Sequence, residues 1–439
     1  MRRKVSAGQQ RQARERACPA CGHYVCVPFF DGGEQPLATL AWPDSAEAAT
    51  ALACHRLDFV RCVECGHVYN AAFDYAAVPY SEMPNLMFNR GGLWSGFVRA
   101  VGDQILARLP ERPTVVEIGH GDGSFLAMLA RARPRGRYVG FDPHGAGRGE
   151  GAVELRRELF DPAVHIGELR PDLAISRHVL EHLTNPLGFL QRISFAASNL
   201  GLALLAYFEV PCVDRALDSR RTTDFYFEHN SHFTTKSFSH MLGRCATAVE
   251  AVGHGYDGEV IYGFARLGGR IEHRAYAGTA HAFWEAAVRA RAVIRAQLAD
   301  LHASGRRVAI WGGTGKSAAF MNRHGVDAER FPTVVDSDPA KVGTHVPGTG
   351  QEIHFRDWLL DHPVDVVLIP PQWRARDIME EMARHGIRCE AVLIEHGGCL
   401  IDFVRDDHPY QRLAPTPDTA AQTISPGPRR TYRSRSGTA

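Results

Sequence analysis

The chain holds 439 residues, of which 45% are hydrophobic and 23% charged, a composition typical of soluble globular proteins and a length suited to two or three domains. A net charge of +1 argues against a general nucleic-acid binder, and no apolar run reaches the roughly 18 residues that a membrane span needs. The basic segment 1–16 lacks the apolar core of a secretory signal and is predicted to be a disordered arm. We therefore expect a cytoplasmic protein whose ten cysteines are reduced or metal-bound rather than paired in disulfides.

Two C-x-x-C pairs, 40 residues apart, are the first chemical feature along the chain. Each pair is followed by a glycine, Gly22 or Gly66, as in zinc knuckles where a tight turn points backbone N–H groups at the thiolates. Four thiolates suit tetrahedral Zn²⁺ and leave no coordination position open for catalysis, so a zinc here would be structural; free buried cysteines are the alternative. The predicted ligands, in a zinc-binding domain over 17–90, are Cys18, Cys21, Cys62 and Cys65.

A glycine-rich turn follows a helix predicted near 94–109. The short apolar strand 114–118 carries Glu117 near its end, and a helical run over 125–132 comes after glycines 119, 121 and 123. Alternating glycines let the backbone approach a ligand closely at the start of a helix. The spacing E-x-G-x-G-x-G resembles motif I of class I S-adenosylmethionine (SAM) methyltransferases, which implies that Glu117, Gly119, Gly121 and Gly123 bind that cofactor.

Asp142 stands directly after the next predicted strand, 137–141, and 25 residues after Glu117. An acid at this place accepts hydrogen bonds from the ribose hydroxyls of a bound nucleoside. The alternative is a helix cap or a turn residue. Further strands at 173–176 and 201–207 alternate with helices, which predicts a parallel, doubly wound sheet in a domain over 91–278.

The stretch from His178 to His182 matches by its letters the H-x-x-E-H signature of metalloproteases. No third metal ligand is evident, and the match lies where a strand ends inside a nucleotide-binding series. We favour a methyltransferase loop beside the cofactor, with His178 binding the cofactor and His182 facing the reaction site.

A second histidine-rich stretch runs over 224–233 and interleaves aromatic residues with Glu228, His229 and His232. It is either a surface loop or a buried base with an acidic residue that orients it. Histidine is the usual general base near neutral pH, and a neighbouring carboxylate can tune it.

A long helix is predicted over 279–303, followed by strands at 308–311, 331–335, 364–369 and 391–394. This second series predicts a Rossmann-like domain over 279–408, before a disordered tail over 409–439. The stretch Trp311-Gly-Gly-Thr-Gly-Lys-Ser317 looks like half a P-loop, but Ile310 stands where a true one needs glycine. ATP hydrolysis is therefore not expected, although such a turn can hold a phosphate or an amide.

The order of these features resembles the sugar C-methyltransferases, which act on nucleotide-linked keto-deoxysugars in natural-product and polysaccharide pathways. The resemblance covers roughly 18–403. It implies a small zinc-binding N-terminal domain, a class I SAM-methyltransferase sheet and a Rossmann-like C-terminal domain, so the fold class is α/β. In that last domain the resemblance is carried by Gly315-Lys316-Ser317, Asn322, 334–339 and Pro347-Gly348.

The same resemblance assigns roles to residues. The pair Tyr80-Ser81 matches the family's active-site tyrosine, for which Tyr75 competes, and His182 and Glu228-His229 match its histidine and Glu-His pair. His229, oriented by Glu228, would remove a proton alpha to a keto group, while Tyr80 and His182 hydrogen-bond the oxyanion before in-line transfer of the methyl group. Residues 35–60 look like an insertion, and His232 is not assigned a role.

The implied partner is a nucleotide-linked sugar, with no nucleic acid and no membrane; the sequence does not determine the sugar, the carbon, the nucleotide carrier or the oligomeric state. Two alternatives remain. One is a SAM-dependent O- or N-methyltransferase of a small molecule, which needs no enolate. The other is a non-catalytic scaffold that binds zinc and a nucleotide.

Overall fold

A computed structural model describes residues 12–80, 89, 91–145, 149 and 151–411. The chain divides into two compact units, Met1–Ala277 and Gly278–Ala439. In the described ranges, no helix is both long and apolar enough to cross a bilayer. Ser81, the predicted tail beyond residue 411 and most of the predicted N-terminal arm lie outside the described residues.

The first unit contains two sheets. Its strands are β1 (Arg14–Glu15), β2 (Val25–Gln35), β3 (His55–Cys62), β4 (Val68–Asn70), β5 (Thr114–Ile118), β6 (Arg137–Phe141), β7 (Val153–Arg156), β8 (Leu173–Arg177), β9 (Ala203–Pro211), β10 (Ser231–His232), β11 (Ala246–Gly255) and β12 (Val260–Gly268). Its helices are α1 (Ala46–Thr50), α2 (Gly92–Leu106), α3 (Ser124–Ala132), α4 (Pro162–Leu169), α5 (Pro186–Asn199), α6 (Asp214–Ser219) and α7 (Thr235–Cys245). The long helix α8 (Ile271–Ala303) begins earlier than the predicted residue 279 and continues into the second unit.

The smaller sheet has the order β1-β2-β3-β4-β10 and is antiparallel in every pair. Its last strand comes from the histidine-rich stretch, because Ser231 pairs with Tyr69 and His232 with Val68. The prediction that all of 1–16 is disordered is wrong for Arg14 and Glu15. These two residues pair with β2, and the Arg14 guanidinium lies 2.6 Å from the Asp58 carboxylate.

The larger sheet has the order β11-β12-β9-β8-β5-β6-β7. The five strands from β9 to β7 are parallel, and β12 and β11 are antiparallel, so the predicted doubly wound sheet is confirmed. Both faces are covered by helices, which explains why strands such as β5 are apolar almost throughout. The turn after β5 lies at the carboxyl edge where the strand order reverses, the place where α/β sheets bind ligands.

The second unit carries one sheet. Its strands are β13 (Val308–Trp311), β14 (Thr333–Asp336), β15 (Ile353–Phe355), β16 (Val366–Leu368), β17 (Ala391–His396) and β18 (Cys399–Asp402), and its further helices are α9 (Lys316–His324), α10 (Trp358–Asp361) and α11 (Ala375–Arg384). The order β15-β14-β13-β16-β17-β18 is parallel except for β18. This is the Rossmann-like arrangement that the second strand series predicts.

Candidate active site

The four predicted zinc ligands form one buried cluster. Cys18 Sγ lies 3.7 Å from Cys65 Sγ, Cys21 Sγ lies 3.6 Å from Cys62 Sγ, and all four sulfurs lie within 4.8 Å of one another. Tetrahedral zinc with Zn–S bonds of about 2.3 Å holds its thiolates about 3.8 Å apart, so the cluster fits that ion. The following glycines have φ of 75° and 79°, as the knuckle turns require. The other cysteines of this region, Cys26 and Cys54, are not part of the cluster.

The glycine-rich turn after β5 is closed by tight packing. Gly119 has φ of 76°, and a Cβ there would lie 2.3 Å from Val179 Cγ2, so only glycine fits. The Gly119 N–H donates to the Phe141 carbonyl at 2.8 Å, and the Gly121 N–H donates to Asp142 Oδ2 at 3.1 Å. The turn therefore lies against the ends of β6 and β8, with α3 starting after Gly123.

Two acidic residues that flank this turn differ in their hydrogen bonding. Glu117 is buried and its Oε2 has no hydrogen-bond partner among the described residues, and burial raises its pKa to about 8. Asp142 accepts backbone N–H groups from Gly121 and His144, one on each oxygen. An unpartnered buried carboxyl and a carboxylate at the next strand end fit a ligand that carries a cationic group and ribose hydroxyls, as SAM does.

His120, between the first two glycines, is a residue that the sequence reasoning missed. Its ring covers Gly140, where a Cβ would lie 2.8 Å from the imidazole, and neither ring nitrogen has a partner in the described chain. Burial lowers its pKa. Its place inside the glycine motif was the only signal that could have found it.

His178 follows β8 with φ of 54°, a left-handed conformation that aims its ring between two carboxylates. Its Nδ1 lies 3.4 Å from Glu181 Oε1 and its Nε2 lies 3.0 Å from Glu209 Oε1. Burial alone would lower the pKa of His178, but these two carboxylates outweigh it and raise the pKa to about 9. His178 and His182 do not share a helix, because only Leu180–His182 forms a single helical turn, so the metalloprotease alternative fails on geometry.

Glu209 in β9 is also absent from the sequence prediction. It is fully buried, receives a 2.5 Å hydrogen bond from the Tyr207 hydroxyl and pairs with Arg177 at 3.1 Å. Burial would raise its pKa, but Arg177 and His178 outweigh this effect and lower it to about 2. Arg177 also lies over the Phe125 ring at 4.3 Å. This charged network fixes the end of β8 directly before the His178–His182 loop.

Tyr80 and His182, both expected to hydrogen-bond the oxyanion, lie next to each other. The Tyr80 hydroxyl lies 2.8 Å from His182 Nδ1 and donates to the Glu228 carbonyl at 2.6 Å, and His182 Nδ1 lies 2.9 Å from the same carbonyl. Burial raises the pKa of Tyr80, so its hydroxyl stays protonated. Tyr75, the competing tyrosine, is 44% exposed and contacts only the Tyr80 ring among these groups. The structure therefore favours Tyr80 over Tyr75.

The Glu228 carboxylate is not where the sequence reasoning placed it. Its Oε1 accepts hydrogen bonds from Thr39 N at 2.6 Å, Leu40 N at 3.1 Å and Thr39 Oγ1 at 3.1 Å, and its Oε2 has no hydrogen-bond partner in the described chain. The prediction that Glu228 orients His229 is therefore wrong. These donors come from the insertion-like stretch before β3, and no pattern in the sequence around Glu228 predicts the contact.

His229 is held instead by Tyr226, whose hydroxyl lies 2.8 Å from His229 Nε2. Its ring lies 4.9 Å from that of His182, and donor atoms of Glu181, His182 and His229 lie within 4.8 Å of one another. Burial, with a smaller effect from His182, keeps the pKa of His229 well below its ordinary value. His229 is thus a neutral imidazole at neutral pH, next to His182 and Tyr80.

His232 belongs to a different environment. Its ring packs against Phe59 and Phe225, and burial lowers its pKa to about 4. It is an aromatic core residue on the paired strand β10, in agreement with leaving it without a role.

In the second unit, the turn after β13 repeats the outline of the first. Gly313 donates to Asp336 Oδ2 at 3.3 Å, and a Cβ at Gly313 would lie 2.2 Å from Ile353. Lys341 Nζ lies 3.1 Å from Asp336 Oδ2, and the Ser317 hydroxyl donates back to the Trp311 carbonyl at 3.4 Å. The Gly313 N–H and the Ser317 hydroxyl of the half P-loop are thus bonded within the protein.

Comparisons with known proteins agree with this architecture. A family model described as "Methyltransferase domain" matches residues 94–245, and one described as "C-methyltransferase C-terminal domain" matches residues 272–393. No curated protein gives a significant match.

Among solved structures, a 1,6-didemethyltoxoflavin-N1-methyltransferase from Burkholderia thailandensis is 16% identical, with a TM-score of 0.34 over 47% of this chain and 98% of that chain. The dimethyltransferase RosA from Streptomyces davawensis is 19% identical, with a TM-score of 0.30 over 40% of this chain and 56% of that chain. The pyocyanin biosynthetic protein PhzM is 16% identical, with a TM-score of 0.29 over 39% of this chain and 55% of that chain. The chain thus spans about half the length of the last two proteins.

The two family models identify the domains of the chain. The first unit carries a methyltransferase domain, and the match to a C-methyltransferase C-terminal domain lies mainly in the second unit.

Proposed function

We propose that this enzyme methylates a carbon atom alpha to the keto group of a nucleotide-linked deoxysugar, in a natural-product or polysaccharide pathway. The observation that carries the proposal is the meeting of a neutral His229 with His182 and Tyr80 in one cluster. Carbon is a poor nucleophile until a base removes its proton, whereas this cluster offers both a proton acceptor and hydroxyl and imidazole donors for an oxygen anion.

The glycine-rich turn would hold SAM beside this cluster. Glu117 and Asp142 would bind its charged and hydroxyl groups, and Gly119, Gly121 and Gly123 would let the backbone approach it. His178 would keep the Glu181 and Glu209 carboxylates in place at the cofactor side of the loop. Bound SAM supplies an electrophilic methyl group. The contact between Gly119 and Val179 supports the proximity, since Val179 precedes His182 by three residues.

His229 is the proposed base. Because burial lowers its pKa, the ring is uncharged at neutral pH; with Nε2–H donating to the Tyr226 hydroxyl, the Nδ1 lone pair would accept the alpha proton. Tyr226, at 2.8 Å from Nε2, restricts rotation of the ring. Removing the proton leaves an enolate, whose negative charge rests mainly on the former keto oxygen.

Tyr80 is the proposed donor to that oxygen. Its hydroxyl now donates to the Glu228 carbonyl, from which a short rotation would redirect it to a substrate oxygen. His182 bonds the same carbonyl and borders the tyrosine ring, so it would hold Tyr80 in position and add a second donor. Donors placed in advance at a developing oxyanion give the largest rate effects.

Glu228 would act through the backbone. Its carboxylate anchors Thr39 and Leu40, while its carbonyl receives Tyr80 and His182. We therefore assign it a positioning role. Zinc at the Cys18, Cys21, Cys62 and Cys65 cluster would be structural, since four thiolates fill a tetrahedral ion, and a cytoplasmic location would keep them reduced.

Offering the enzyme a panel of nucleotide-linked ketosugars with SAM in D₂O tests the proposal. We expect one panel member to gain a methyl group on carbon, seen by mass spectrometry and NMR, and to exchange its alpha proton when SAM is replaced by S-adenosylhomocysteine. His229→Gln should lose both the exchange and the methylation. The matched variant His240→Gln, on α7 outside the cluster, should keep both.

Methylation at oxygen or nitrogen without alpha exchange would contradict the proposal. Retention of alpha exchange in His229→Gln, with SAM binding intact by calorimetry, would contradict the assignment of His229 as the base.

A further inference from the structure

A second cluster of metal-binding side chains lies at the end of β9. Cys212 follows that strand, Asp214 is the first residue of α6, and His254 is in β11. One donor atom from each lies within 4.8 Å of the others. None of the three belongs to the thiolate cluster or to the Tyr80–His229 cluster, so the roles proposed for those clusters do not account for this group.

We propose that Cys212, Asp214 and His254 form a second metal site that binds Zn²⁺ with three protein ligands and one water. Thiolate, imidazole and carboxylate are the three ligand types that zinc takes in proteins. With bonds of about 2.0–2.3 Å, tetrahedral zinc holds such donors roughly 3.3–3.8 Å apart, so the side chains would close by at most about 1.5 Å. The proposal does not depend on the proposed methyl transfer.

The backbone around these three residues is firmly held. Cys212 N donates to the Glu259 carbonyl at 2.9 Å, and Val213 N donates to the Phe233 carbonyl at 2.9 Å. His254 pairs with Ile261 across β11 and β12, and the neighbouring Val260 pairs with Pro211 of β9. The sheet therefore places the three donors at one edge, and only side-chain rotation is needed to bind an ion.

Thr235 supplies the support that metal ligands usually have. Its hydroxyl lies 2.5 Å from Asp214 Oδ2 and 2.8 Å from His254 Nε2, and its N–H donates to the same Asp214 oxygen at 3.0 Å. Since a hydroxyl has one hydrogen, donation to Asp214 makes it the acceptor of His254 Nε2–H. That tautomer puts the ring's lone pair on His254 Nδ1, and a metal would bind it there, as in metal sites where the other ring N–H is bonded to a polar neighbour.

The His254–Thr235–Asp214 chain is complete without a metal, and the Cys212 thiol lies beside Thr235 and Asp214 in the same group. A metal ion would bind Cys212 as its thiolate, and the buried sulfur lies within 4.8 Å of a donor atom of each of the other two residues. His254 is exposed, which gives an ion a path from solvent. A bound ion would tie α6 to β11 and so restrain the 220–230 segment that leads to Tyr226 and His229.

The metal content of the protein distinguishes a zinc site from a hydrogen-bonded group that holds no metal. We expect the full-length wild-type protein, saturated with zinc and desalted, to hold one zinc equivalent more than His254→Ala or Cys212→Ser. The matched control His240→Ala should hold as much zinc as wild type, and circular dichroism should show that all variants fold. Equal zinc content in wild type and both site variants would overturn the proposal.

A measurement on wild type alone guards against variants that do not fold. With cobalt in place of zinc, the last equivalent to bind should add the weak charge-transfer absorption of one thiolate, after the stronger absorption of the four-thiolate site. Saturation with no such additional equivalent would also overturn the proposal.

Discussion

The two glycine-rich turns of this protein share an outline and differ in what they leave unsatisfied. Each follows the first strand of a parallel series, each has an acid at the end of the neighbouring strand, and at each a Cβ on one glycine would clash with an aliphatic side chain. At the first turn, however, Glu117 Oε2 and both ring nitrogens of His120 are buried with no hydrogen-bond partner among the residues that the structure describes. At the second, Lys341 neutralises Asp336 and Ser317 bonds back to Trp311.

This difference teaches how far glycine spacing can be trusted. Glycines report that a backbone turns tightly or packs closely, which is true of both turns. Ligand binding is indicated by buried polar side chains that the protein alone leaves unpaired; within the described ranges such atoms occur at the first turn and not at the second. The predictions below test whether the first turn and its neighbouring loop carry cofactor and chemistry while the second turn does not.

The largest effect is expected beyond the first turn, at Tyr80. Tyr80→Phe removes the proposed donor to the oxyanion and should lower kcat by about 10²–10³-fold, the usual loss for one such donor. Tyr75→Phe, at the exposed neighbouring ring, should change kcat little. Steady-state kinetics with SAM in excess measures both, and equal losses for the two tyrosines would refute the assignment.

The second-largest effect is expected on stability, from the charge on His178. This charged histidine has no counterpart in the described part of the second turn. Its folded pKa of about 9 exceeds the ordinary value of about 6.5, so its stabilisation is complete below pH 6.5 and is lost as the pH rises through 9. The shift in pKa is worth on the order of 3 kcal/mol. Denaturant unfolding at about pH 6 and pH 9.5 should show this fall in the free energy of unfolding for wild type and a smaller fall for His178→Gln. Parallel curves for the two proteins would contradict the prediction.

A smaller effect separates the glycines themselves. Gly119→Ala meets Val179 with φ of 76°, so the turn must shift and SAM affinity should fall by about tenfold or more, equivalent to about 1.4 kcal/mol. Gly313→Ala meets Ile353 at a similar distance and should destabilise the second unit by about 1–3 kcal/mol. It should leave SAM affinity unchanged. Calorimetric titration measures the affinities; a comparable loss in Gly313→Ala would show that the second turn contributes to cofactor binding.

The smallest effect is a pH dependence of SAM binding. Glu117 has a pKa of about 8 because of its burial, and a cationic ligand would favour its ionised form, so binding should release a proton. SAM affinity should then rise several-fold between about pH 6 and 7.5, within the limit of tenfold per pH unit for one proton. Glu117→Gln should flatten this rise, whereas Asp336→Asn should preserve it. A flat wild-type profile would contradict a role for Glu117 in binding the cation.

Much of the fold followed from local patterns in the sequence. Apolar strand runs that alternate with helices predicted both parallel sheets, and the paired cysteines predicted a cluster that the structure confirms. The positions of Tyr80 and His182 beside each other also agree with the motif resemblance. Each of these features depends on residues that are close in sequence, and the spacing of such residues predicts which side chains share a strand end or a turn.

Tertiary structure decided which charged groups meet. Glu228 bonds Thr39, 189 residues away, instead of its neighbour His229. Arg177 pairs with Glu209 on the adjacent strand, β9. Tyr226, rather than a carboxylate, is hydrogen-bonded to His229. A residue's neighbour in sequence is free to point elsewhere, because a buried carboxylate takes whichever donors the packed chain brings to it. The amino-acid pattern thus determined where the glycine-rich turns and the metal-ligating cysteines lie. Only the packed structure determined which buried polar groups are left to bind a cofactor or substrate.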